Sequence, residues 1–218
     1  MPGAAAPPFP STSERLMQKS ILPNPVRLPL TILLFALLAA QTANADSNRK
    51  IVLGADTQIG KTVRYDPAYV SLKYPGGDVP IDRGVCTDVV VRALRHAGVD
   101  LQKEVHEDMK RAFKSYPQNW RLKRPDKNID HRRVPNLMKY FERKKKSAPI
   151  TRNGKDYRAG DIVAWRLGGG RLHIGIVSDR KSRDGKHPLV VHNIGGGARR
   201  EDMLFQLSII GHYRYFKK

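Results

Sequence analysis

One cysteine and two of the seven histidines carry most of the chemistry that this 218-residue sequence can offer. Cys86 opens an apolar-periodic segment, and the unpaired amides and dipole of a helix N-terminus favour a thiolate there. His173 opens a strand just after the run Gly168-Gly169-Gly170, and His192 ends the strand that follows. Adjacent antiparallel strands can set both rings on one sheet face, opposite the helix that carries Cys86. A thiol, an imidazole base and a group that orients the base form a set able to attack a carbonyl. Each residue also has a plainer reading. Cys86 lies on an apolar face and could be a buried filler, and either histidine could be an ordinary hydrogen-bonded strand residue. A zinc site of His173, His192 and a carboxylate is a further possibility, but no ligand pair has tight metal spacing. Neither a metal nor a cofactor is expected. His96, His106, His131, His187 and His212 fall on helix faces, in turns or near the chain end, and no role is assigned to them.

The elements that must position these groups follow from periodicity. Cys86, Val89, Val90, Ala93, Leu94 and Ala97 recur as one helical face that ends at Gly98. A second helix is expected over about Gln102 to Ser115, with Val105, Met109 and Ala112 inward. A third starts near Val134, with Pro135 in its first turn and Leu137, Met138 and Phe141 inward. Upstream, residues 51–83 read as an early helix or extended entry and then a loop. Strands are expected at Asp161 to Leu167, Leu172 to Ser178, Leu189 to Asn193 and Gly211 to Phe216. Helices first and antiparallel strands after them imply an α+β domain with helices packed on one sheet.

Composition bounds the rest. The chain is 40% hydrophobic and 28% charged, which is globular rather than disordered. A lone cysteine excludes an internal disulfide framework and any multi-cysteine metal site. Leu28 to Ala40 is an apolar run behind Arg15, Lys19 and Arg27, followed by Ala43-Asn44-Ala45 and polar Asp46. This is the layout of a secretory signal, with cleavage expected after Ala45 and Met17 as an alternative start. The run is shorter than the roughly 20 residues that span a bilayer, so no membrane span is expected after cleavage. Residues 1–45 are thus a leader and 46–218 one domain, placed in the periplasm or secreted. Export also argues for a working thiol, since an exported protein gains little from an unpaired, oxidisable filler. The net charge of +20 predicts attraction to polyanions. Peptidoglycan or another anionic envelope polymer is the natural partner. No nucleic-acid module is recognisable, and the basic residues are dispersed except at Arg143 to Lys146.

GVCTDVVVRALRHAG, AGDIVAW, RLHIGIVSD and LVVHN, in that order, resemble the motifs of the NlpC-type papain-like cell-wall peptidases. More narrowly, YDPAY, YPGG, RGVCTDVV, HIGIV and HNIGGG resemble the bacterial domain-of-unknown-function family 1287. The likeness spans about Ile51 to Phe216. It implies a papain-like fold, with Cys86 as nucleophile, His173 as general base and His192 as the orienting residue. Asn193 is the alternative third member, because papain-like enzymes also use Asn there. Strand alternation lets only one of the two face the site, and His192 is the choice. The Cys86 amide would supply one oxyanion donor, with Tyr74 as a weaker candidate for oxyanion or substrate contact. Many relatives read Asp-Cys-Ser where this chain has Val85-Cys86-Thr87. The implied activity is amide cleavage in peptidoglycan stem peptides through an acyl-enzyme. The alternatives are a non-catalytic binding module of the same fold, and a thiol hydrolase or acyltransferase with a lipid or protein substrate.

Overall fold

The computed structural model describes Gly3 and residues 30–217, and only the helical backbone of residues 30–41. Most of the expected leader therefore lies outside the described residues. Helix α1 (Leu30–Asp56) runs unbroken past Ala45. Its last turns bury Ile51, Val52 and Ala55, so the expected early helix extends to Asp56. Among the described residues, no helix is long and apolar enough to cross a membrane.

A two-residue strand β1 (Arg64–Tyr65) pairs in parallel with β2 (Arg83–Gly84). Helix α2 (Cys86–His96) follows at once, then α3 (Leu101–Ala112) and α4 (Val134–Arg143). The apolar stripe of α2 makes it the central helix, with Val89, Val90, Ala93 and Leu94 fully buried. α1 crosses it closely because Gly54 has no side chain. A Cβ there would sit 2.5 Å from His96 Cβ and 3.0 Å from Ala93 Cα. α3 starts where the Asp100 carboxylate accepts from the Gln102 and Lys103 amides, a side-chain cap. Pro135 takes the first turn of α4, as expected.

Five antiparallel strands form the sheet: β3 (Ile162–Arg166), β4 (Leu172–Lys181), β5 (Pro188–Asn193), β6 (Ala198–Glu201) and β7 (Ser208–Tyr213). Their order is β6-β5-β4-β3-β7. The α+β class with helices on an antiparallel sheet holds. Two-residue alternation divides the sheet. Ile162, Ala164, Ile174, Ile176 and Val191 face the helices and join one core. Val163, Trp165, Val177 and Val190 face away and pack with Tyr157, Met203 and Leu204 in a second. β6 was not among the expected strands. Its sequence ARRE is short and polar, as an edge strand can be, and gives no apolar alternation to read.

Candidate active site

Cys86 is the first residue of α2, and extended Val85 precedes it. Asp88 fixes this turn. Its carboxylate accepts from the Val85 amide at 2.7 Å and from Arg132 Nε and Nη2 at 2.9 and 3.0 Å. Arg132 also donates to the carbonyls of Ala68 and Asp66, at 2.9 and 3.1 Å. A buried ion pair therefore ties the turn that carries Cys86 to the loop after β1.

The thiol does not sit in the electropositive, open setting expected of a preformed thiolate. Cys86 is buried, and that burial pushes its pKa up to about 11, further raised by the Asp88 charge. The amides of Ile174, Thr87 and Cys86 itself oppose the rise and do not cancel it. Desolvation of a charged sulfur outweighs one helix terminus, so the resting group is a neutral thiol.

The ladder between β4 and β5 explains how the sulfur reaches the sheet. Ile176 pairs with Val191 and Val177 with Val190, but no pair follows toward the His173 end. Val177 exchanges its backbone hydrogen bonds with Gly160 and Asp161 on the β3 side. Alternation then turns the Ile174 amide toward β5. That amide has the Cys86 sulfur beside it instead of a strand partner. The side chain of Asn193, the residue that would face Ile174, donates to Gly84 O at 3.0 Å and Arg64 O at 3.4 Å. Asn193 thus closes the β1–β2 strap over the thiol.

His173 and His192 come together as the strand spacing suggested. His173 Nε2 and His192 Nδ1 lie 2.9 Å apart. They share the sheet face that carries Trp165, which stacks on His173 at 5.8 Å between centroids. This is the face turned away from α2, a correction to the expected opposition of both rings to that helix. Alternation forces it, because Ile174 and Val191 occupy the helix-side positions. The rings hydrogen-bond each other and not the sulfur. What joins the two parts is the gap in the ladder: Cys86 stands at the amide of the residue next to His173. Gly175 leaves room for the second ring, since a Cβ there would be 3.0 Å from His192 Cβ and 2.9 Å from Val191 O. Burial, then the neighbouring His192, pushes His173 down to about 3, so its ring is neutral as well. His192 is also lowered by burial, against the pull of Glu201.

Two groups were missed from sequence. The Tyr65 hydroxyl lies within hydrogen-bonding reach of the Cys86 sulfur, and burial and that neighbour push it up to about 12. Its signal in the sequence is the YDPAY stretch, of which it is the first residue. Glu201 Oε2 lies 2.9 Å from His192 Nε2. It belongs to the edge strand that periodicity did not reveal. Tyr74 is placed elsewhere: its ring meets His106 at 5.3 Å and carries Lys127 above it at 5.8 Å. No group of three or more His, Cys, Asp or Glu among the described residues is arranged to hold a metal.

Against known proteins, a family model described as "Domain of unknown function (DUF1287)" matches residues 52–215. A relative named "Uncharacterized protein YijF", from Escherichia coli (strain K12), is 63% identical over 174 residues. The match covers 80% of this chain and 84% of that protein. One solved structure, titled "Structure of NlpC1 from Trichomonas vaginalis", is similar at a TM-score of 0.41 and 14% identity. That match covers 79% of this chain but only 45% of the other.

Proposed function

From the premise that this chain belongs to the DUF1287 family, we propose that it is an exported cysteine hydrolase cleaving an amide in peptidoglycan stem peptides. One observation carries the reading: the sulfur stands at the Ile174 amide, one residue from an imidazole whose Nε2 is already engaged by a second imidazole. That leaves His173 Nδ1 as the base. With both groups neutral at rest, the reaction is general-base attack rather than attack by a stored ion pair. This attack requires the sulfur and His173 Nδ1 to approach each other across the gap between β4 and β5. Nδ1 takes the thiol proton as sulfur bonds to the carbonyl carbon. The Cys86 amide and the Tyr65 hydroxyl donate to the oxyanion. The imidazolium then protonates the leaving amine, and a thioester on Cys86 remains. Water, activated by the same ring, releases the acid and restores the thiol.

The basic surface and the leader-like N-terminal sequence support an anionic envelope polymer as the setting. The buried, raised thiol supports a second reading, a non-catalytic binding module on such polymers. Mass spectrometry of muropeptide digests separates the two. Hydrolysis by the wild-type protein and none by Cys86→Ala is expected. Salt-sensitive sacculus binding, equal in wild type and Cys86→Ser and without product, would favour the module.

A further inference from the structure

We propose that Glu201 is a positioning residue that sets the proton arrangement of both imidazoles. The proposal rests on the reading of Cys86 and His173 as nucleophile and base. His173 can accept a proton at Nδ1 only if its own resting proton sits on Nε2. His192 Nδ1, 2.9 Å away, must then be the acceptor, which puts the His192 proton on its Nε2. That nitrogen is buried and has no aligned hydrogen-bond partner. The Glu201 carboxylate stands 2.9 Å from it. The distance is that of an ion pair, with the N–H off the line to the oxygen. Glu201 is 44% exposed and free to turn into line.

The topology makes this contact deliberate. β6 pairs with β5 so that His192 faces Arg199, and Glu201 is the diagonal neighbour two residues on. An acid there rewards an N–H at His192 Nε2. With no acid, His192 is free to carry its proton on Nδ1 and donate to His173 Nε2. The His173 proton then moves to Nδ1, and the base is lost. The carboxylate also lies at the far end of the chain of rings from the sulfur. The positive charge that forms when His173 takes the thiol proton is balanced there through His192.

The test reads protons and needs no substrate. Nitrogen-15 NMR of the ring nitrogens in the full protein is compared among wild type, Glu201→Leu and Glu201→Gln at pH 7.5. Wild type is expected to show His173 protonated at Nε2 and bare at Nδ1. Glu201→Leu should shift His173 partly or wholly to the Nδ1-protonated form. Glu201→Gln, whose amide oxygen still accepts, should keep the wild-type form. A folded Glu201→Leu protein with an unchanged His173 tautomer overturns the proposal, whether or not the protein hydrolyses anything. A wild type already protonated at Nδ1 does so too. Where hydrolysis is measured, Glu201→Leu should lower kcat on the order of 10- to 100-fold with little change in KM, and Glu201→Gln should recover part of it. Absence of hydrolysis in the wild type with the tautomers as stated would sink the proposed function and leave this assignment standing.

Discussion

Removing the charge of Asp88 should do more than weaken one contact. Asp88 and Arg132 are 4% and 1% exposed at their side chains, joined by two hydrogen bonds, and the same carboxylate holds the Val85 amide. Asp88→Asn leaves the Arg132 guanidinium buried without its counter-charge. Breaking a buried pair in this way costs about 3–5 kcal/mol. For a domain of this size each kcal/mol moves Tm by about 2–4 °C, so a fall on the order of 10 °C is expected. Arg132→Met should cost a similar amount, because it strands the carboxylate and frees the Ala68 and Asp66 carbonyls. The double variant should be milder than the sum, with a coupling of about 2 kcal/mol or more. Urea unfolding of the four proteins measures the cycle. Hydrogen exchange at the Cys86 and Thr87 amides should quicken in Asp88→Asn, since the turn that carries the thiol has lost its anchor. Single variants each within 1 kcal/mol of wild type, or a coupling near zero, would refute the claim that this pair sets the turn.

Alkylation of Cys86 by iodoacetamide should be slow at pH 8, on the order of 100-fold below a free thiol, and climb about tenfold per pH unit toward the pKa of about 11. A rate that levels off near pH 8.5, or is flat through neutrality, would contradict the neutral resting thiol. Acid should destabilise the fold through two buried histidines. His173 and His131 are pushed down to about 3 and about 4, chiefly by burial, so below their ordinary value near 6.5 the unfolded chain takes up protons that the folded chain refuses. Their contribution is complete above about pH 6.5 and is lost as pH falls toward 3. Asp130, raised by burial to about 6, has the opposite sign: its contribution is complete below about pH 4 and lost as pH rises through 6. His173 and His131 against Asp130 give a net loss of about 3 kcal/mol between pH 7 and pH 4, with His192 acting in the same direction, checked by urea midpoints across that range. A flat profile would contradict it. Gly175→Ala should cost about 1–3 kcal/mol and part the two imidazoles, because the new methyl meets His192 Cβ and Val191 O. NMR retaining the ring–ring hydrogen bond in that variant would count against the crowding argument.

Much of the fold could be read from periodicity. α2, with its stripe from Cys86 to Ala97 and its stop at Gly98, emerged with boundaries close to those observed, since one apolar face against a core leaves a plain 3.6-residue signature. The strands around Ile162, Ile174 and Val190 were legible for the equivalent reason, their runs of branched residues. The polar edge strand β6 was not, and Glu201 was lost with it. In the site, residue types and order singled out Cys86, His173 and His192, and the structure brings the two imidazoles of that set to 2.9 Å. The sheet face was not readable, because it depends on which of Ile174 and His173 the helices cover. The protonation state of the thiol could not be read either. A helix terminus is visible in sequence, whereas the burial that overrides it is a property of the closed strap Arg64–Tyr65, Gly84 and Asn193. Tyr74 and Tyr65 both precede Cys86 in loop-rich sequence, and only the pairing of β1 with β2 brings the second one to the sulfur.

An acyl group held on Cys86 as a thioester can be trapped and weighed. Purified protein is mixed with muropeptides, quenched in acid within seconds, and its intact mass recorded beside that of Cys86→Ala. Wild type is expected to carry an added mass equal to the acyl part of the cleaved peptide, mapped to Cys86, and neither Cys86→Ala nor His173→Gln is expected to carry it. Products released with no adduct, or released equally by Cys86→Ala, would contradict the thioester mechanism.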